Sequence, residues 1–113
     1  MFDLSLLETF LLLVFVHALA DYPLQGEFLA RAKNHRAPLP GVPWYQALGA
    51  HAVIHAGFVG LVTGSIWLAL AELVAHSLTD HAKCAGLIGF NTDQAVHVAS
   101  KLAWVGLIYL GVP

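Results

Sequence analysis

The sequence predicts an all-α polytopic membrane protein: a four-transmembrane-helix antiparallel bundle with a short interfacial helix after the first span. Three observations predict it. Of 113 residues, 58% are hydrophobic and 11% charged, whereas soluble domains carry roughly a quarter charged residues. Four apolar runs of helical length are separated by breaks rich in Pro and Gly. Within those runs, ionisable residues recur four apart, so each pair shares one helix face.

The first span runs from about residue 4 to 22. Nineteen residues of helix cover about 28 Å, close to the hydrocarbon thickness of a bilayer. Asp3 and Ser5 are candidate N-caps and Pro23 stops the helix. Residues 24–36 mix Phe28 and Leu29 with Gln25, Glu27, Arg31, Lys33 and Arg36, the pattern of an amphipathic helix lying at an interface. Ala37 to Pro43 holds three prolines and a glycine and reads as an irregular connection. Trp44 and Tyr45 follow at belt positions.

The second span covers 46–63 and ends at Gly64-Ser65. Its Ala52, Ala56, Gly60 and Gly64 form a small-residue stripe that suits close helix approach in lipid, within the chain or in a homo-oligomer. The third span covers 66–83, and the two-residue turn before it forces an antiparallel neighbour. After a Gly-rich loop the fourth span covers 93–111, with Asp93 in its first turn, where a carboxylate suits the helix dipole. The acidic start, Met1 to Glu8, lacks the positive n-region of a signal peptide, so the first helix is expected to be retained despite Ala18-Leu19-Ala20. All of residues 1–113 form one membrane domain.

The candidate ligands follow from this topology. His17/Asp21 and His76/Asp80 repeat one His-x3-Asp spacing near the ends of spans one and three. His51/His55 and Asp93/His97 lie near the starts of spans two and four. Antiparallel packing brings all four pairs to one membrane depth. Ionisable groups inside a span are costly and tend to face the bundle interior, and a divalent ion would neutralise the carboxylates while accepting imidazole lone pairs. One or two transition-metal ions are expected, zinc first, then manganese or iron. Gln25, Lys33, Lys83 and Gln94 are candidates for orienting ligands or holding a substrate anion. Glu72 and Lys101 are expected to form a deeper ion pair, and Trp67, Trp104 and Tyr109 to face lipid. His35 and His81 fall off the shared faces.

Arg31, Lys33, Arg36 and Lys83 share the cluster's side, which by the positive-inside rule is cytoplasmic, with both termini outside, as in a bacterial inner membrane. The net charge of −2 with neutral His and the absence of a basic stripe argue against nucleic-acid binding. One cysteine, Cys84, gives no internal disulfide. His51-Ala52-Val53-Ile54-His55 lacks the glutamate of the zincin motif, and no nucleophile elbow is present.

These elements resemble a family of small bacterial and phage integral membrane proteins, domain of unknown function 3307. The resemblance rests on His17-x3-Asp21 continuing through Leu24-Gln25, then Lys33, His51-x3-His55, His76-x3-Asp80-x2-Lys83 and Asp93-Gln94-x2-His97. It implies an integral membrane protein and no particular activity. Three readings follow from the residues. The first is a metal-dependent hydrolase of a lipid-borne ester or phosphate, with membrane lipid as its surroundings. The second is a metal-ion or proton transporter, and the third a non-catalytic structural or interaction protein.

Overall fold

A computed structural model describes residues 3–113; Met1 and Phe2, the start of the acidic N-terminal segment, lie outside them. Among the described residues the chain is all helical: α1 Leu6–Asp21, α2 Gly26–Ala32, α3 Trp44–Thr63, α4 Ile66–Cys84 and α5 Phe90–Tyr109. α1, α3, α4 and α5 are the long helices of the bundle. The second and fourth long helices begin two and three residues earlier than the hydropathy pattern predicts, and α2 is a shorter core of the amphipathic segment.

Local chemistry sets the boundaries. Ser5 caps α1 in a capping box: its hydroxyl accepts from the Glu8 amide while Glu8 accepts from the Ser5 amide. At Tyr22 the backbone leaves helical geometry ahead of Pro23, and α2 sets off at 83° to α1. Gly64 ends α3 with φ 70, a left-handed C-cap open to glycine, and Ser65 at once caps α4 by accepting from the Leu68 amide. Gly86, φ 78, closes α4, and a Cβ there would lie 2.9 Å from Arg36 Nη1. Arg36 donates from the same nitrogen to the Ala85 carbonyl at 2.6 Å, tying the α2–α3 connection to the end of α4.

The small-residue stripe packs α3 against α4. Ala52 and Ala56 are buried, and a Cβ on Gly60 would stand 3.3 Å from Ala69 Cβ. Three of the four stripe positions are thus used within the chain, and the fourth, Gly64, is the turn. The apolar core, Leu13, Val16, Val59, Val62, Leu68 and Val105, fills the half of the bundle remote from the α2 side.

The distribution of residues is inverted relative to a water-soluble bundle. The largest fully buried side chains include Lys101, Glu72, Asp80, Asp93 and four histidines, whereas Leu7, Leu11, Phe15, Leu61, Trp67, Leu78, Leu102 and Leu110 are more than half exposed. Among the described residues, by length and composition, only α3, 20 residues with mean hydropathy 1.3, qualifies as a crossing helix by itself; α1 and α2 qualify together as a bent pair.

Candidate metal centre

Four helices deliver the predicted pairs to one place. The i,i+4 spacing sets both members of each pair on the face turned into the bundle, and His17, His51, His55, His76, Asp80, Asp93 and His97 are each no more than 3% exposed. Asp21 lies at the rim, its side chain 8% exposed.

All five imidazoles turn Nε2 towards the carboxylates. Asp21 Oδ1 lies 3.0 Å from His51 Nε2, 3.2 Å from His55 Nε2 and 3.8 Å from His76 Nε2. His51 Nε2 and His76 Nε2 face each other at 3.3 Å. On the other side, Asp80 Oδ1 is 3.1 Å and Asp93 Oδ1 3.3 Å from His97 Nε2. Three ligand groups have their donor atoms within 4.8 Å of one another: Asp21/His51/His55/His76, His76/Asp80/His97 and Asp21/Asp93/His97. A tetrahedral zinc with ligands at about 2.0–2.1 Å has ligand–ligand edges of about 3.3 Å, so the spacings suit a small divalent ion.

The proton count points the same way. A neutral imidazole has one N–H, yet Nδ1 of His17, His51 and His76 is buried without a hydrogen-bond partner, as is Asp93 Oδ1. If Nε2 of His51 and His76 carries the proton, the Nδ1 lone pair of His51 has no partner and that of His76 looks towards Glu72 Oε1 at 3.7 Å. If Nδ1 carries it, the Nε2 lone pairs face carboxylates. Buried polar atoms without partners are uncommon; a cation on the Nε2 side would take up the Nε2 and carboxylate lone pairs, Asp93 Oδ1 among them, and would leave the proton of each ligating imidazole on Nδ1.

Neutral and cationic donors brace the rim. Gln94 Nε2 donates to Asp21 Oδ2 at 2.7 Å and to Asp93 Oδ2 at 3.2 Å, while its Oε1 pairs with His17 Nε2 at 3.0 Å. Lys33 is 4% exposed and donates to Asp80 Oδ2 at 2.7 Å and to Gln25 Oε1. Gln25 in turn donates to the Asp21 carbonyl. The end of α2 therefore carries a buried ammonium to the centre, where Lys33, a candidate for orienting a ligand, contacts Asp80.

His17 belongs to none of the three ligand groups. Its ring lies beside those of His55 and His97, with centroids 5.3 and 5.2 Å away. Lys83 points elsewhere, its ammonium 5.0 Å from the centre of the Phe90 ring. The Glu72–Lys101 pair is present and fully buried. Trp104, expected to face lipid, instead donates its indole N–H to Glu72 Oε2 at 3.2 Å, because Glu72 is sealed where no water reaches its second oxygen. His35 and His81 stack on each other at 4.1 Å beside Trp44, outside the centre. No single-helix pattern marks that contact, which joins a loop to α4.

Neither protein-family models, curated proteins nor solved structures yield a match to this chain.

Proposed function

We propose that this chain is an integral membrane metalloprotein, a metal-dependent hydrolase of a lipid-borne ester or phosphate. The observation that carries the reading is the convergence of imidazole Nε2 and carboxylate oxygens from four helices on one buried place, in groups whose donor atoms lie within 4.8 Å of one another.

The inverted packing supports the membrane setting. α4 and α5 are too polar on average to qualify as spans, but Glu72, His76, Asp80, Asp93, His97 and Lys101 are buried. Their outer faces carry Trp67, Leu70, Val74, Leu78 and Leu102. Such a surface suits acyl chains, and buried ionisable groups are what a span tolerates. Four spans in the bilayer of a bacterial inner membrane, with the centre near the cytoplasmic face and both termini outside, is the arrangement this favours; membership of domain of unknown function 3307 is proposed on the motif order alone.

A divalent ion held by residues such as Asp21, His51, His55 and His76 would make water more acidic and polarise an ester or phosphoryl oxygen. The chain's own groups do the rest. Lys33 holds Asp80 in place, Gln94 clamps Asp21 and Asp93, and His17, left outside the ligand groups yet beside His55 and His97, is free to carry a proton. Tyr22, Leu24 and Phe28 expose apolar surface at the α1–α2 corner next to Asp21, which favours a substrate approaching from the lipid. The dry layer of Leu13, Val59, Leu68 and Val105 beyond the centre favours a one-sided pocket over a transit path.

Elemental analysis of purified protein, supplemented with zinc, manganese or iron, should find at least one equivalent. Less than one overturns the reading. Metal-replete protein should hydrolyse synthetic lipid phosphomonoesters or carboxylic esters, and His17→Gln should keep its metal while losing turnover. Metal without turnover on either class, combined with metal flux into proteoliposomes, would replace hydrolysis by transport.

A further inference from the structure

We infer that the centre is built for two divalent ions sharing Asp21 and Asp80 as bridging carboxylates, an arrangement that rests on the metal-binding reading above and extends it. Asp21 belongs to two of the ligand groups, and Asp80 turns its two oxygens to different imidazoles, its Oδ2 accepting from Lys33 as well. Asp21 Oδ1 faces His51 and His55 of α3, while its Oδ2 is turned to Gln94 of α5, and the residue also lies within reach of Asp93 and His97. Asp80 Oδ1 faces His97 at 3.1 Å, and its Oδ2 is 3.5 Å from both His51 Nε2 and His76 Nε2.

Two sets follow. One is rich in nitrogen: His51, His55 and His76 with Asp21. The other is rich in oxygen: His97 and Asp93 with Asp80 and Asp21. They meet through the two aspartates and through His76, whose Nε2 also lies within reach of Asp80 and His97. One ion seated among three imidazoles would leave Asp93 Oδ1 as it stands, buried and without a hydrogen-bond partner, so the second set would remain unexplained.

Charge alone is balanced by one ion, and a second ion would set which substrate completes the site. With the imidazoles neutral, three carboxylates against the single Lys33 ammonium leave a net charge of minus two. One divalent ion cancels that charge. A second leaves a positive surplus that hydroxide and an anionic ester oxygen would complete, so a paired centre selects a phosphate-bearing lipid over a neutral carboxylic ester. Paired ions can also hold the attacking and leaving oxygens of one displacement.

Full-length protein, stripped with chelator in detergent and reloaded with Mn(II), should saturate at two equivalents. It should show an exchange-coupled paramagnetic resonance spectrum in place of the isolated six-line signal. Asp93→Ala should bind one equivalent and restore the six-line signal; His55→Ala should also fall below two. One equivalent in the native protein, or two without coupling, overturns the paired centre and leaves metal binding intact, whereas less than one overturns both. Two coupled equivalents in Asp93→Ala would overturn the oxygen-rich set. The native stoichiometry decides the proposal even if a variant fails to fold.

Discussion

Glu72 and Lys101 lie next to the His/Asp cluster, about one helical turn deeper, and the two regions bury charge in different ways. The deeper one is closed. Lys101 donates to both Glu72 oxygens, Trp104 adds a third donor, and neither residue is more than 1% exposed. The cluster is open by comparison: three carboxylates and five imidazoles share the donors of Lys33 and Gln94, and buried atoms are left unpartnered. A polar group that only holds helices together has no reason to leave lone pairs converging on a point. The contrast separates a structural network from a binding site better than burial alone, since both regions are buried.

Breaking the closed pair should have the largest effect on stability. Glu72→Ala strands the Lys101 ammonium in an apolar interior and should cost about 3–5 kcal/mol, the range for a buried pair with one partner removed. The double replacement Glu72→Leu with Lys101→Met should recover most of it, because no charge is left unpaired. Thermal unfolding in detergent measures both. If the single and double variants unfold alike, the pair is not the closed unit described.

The open cluster should respond in affinity more than in stability. Gln94→Ala removes the donor shared by Asp21 and Asp93. Loss of such an outer contact typically weakens metal binding 10- to 100-fold, while unfolding of the metal-free protein should shift little. Competition with a chelator of known affinity reads the first, and a melt of stripped protein the second. A large loss of metal-free stability would make the cluster a structural network like its neighbour.

A third variant asks what the small-residue stripe is for. Gly60→Val would push two methyls into Ala69 of α4, already 3.3 Å from where a Cβ would sit. Overpacking of this kind costs about 1–3 kcal/mol. Without water between helices in lipid, close packing is a principal source of association, so the metal content should fall with the helix contact. A change of oligomeric state with unaltered melting would instead assign the stripe to a partner.

Most of the bundle was legible in the sequence, for reasons specific to each element. The i,i+4 pairs gave helix faces, the short Gly64-Ser65 turn gave an antiparallel neighbour, and the alternation of ends gave convergence. Glu72 and Lys101 were legible by depth. What the pattern could not give depends on where the chain turns. Lys33 reaches Asp80 only because α2 leaves α1 at 83°, and no hydropathy period encodes that angle. Lys83, three residues after Asp80 on α4, instead turns to Phe90. Trp104 reads as a belt aromatic until Glu72 is seen to need its N–H. The four spans expected from hydropathy are not matched by the helices themselves: among the described residues α3 qualifies alone and α1 with α2 as a bent pair, because α4 and α5 carry a charged inner face.

The smallest expected effect lies at the edge of this comparison, where His35, His81 and Trp44 stack at the mouth of the α2–α3 connection. Burial, with His81 and Arg36 close by, holds the His35 imidazole below its ordinary range. An unfolded imidazole titrates near about 6.5. Below that pH the unfolded segment binds a proton that the stacked form resists, so the contact is fully present above it and weakens as pH falls. In a background with Trp67→Phe and Trp104→Phe, Trp44 emission should change as the pH is lowered through and below this window, and His35→Asn should abolish the step. Because the metal centre also loses its ligands to protons on acidification, the metal-free protein is the sample to use. A step that persists in His35→Asn would place the titrating group elsewhere and leave this contact as packing alone.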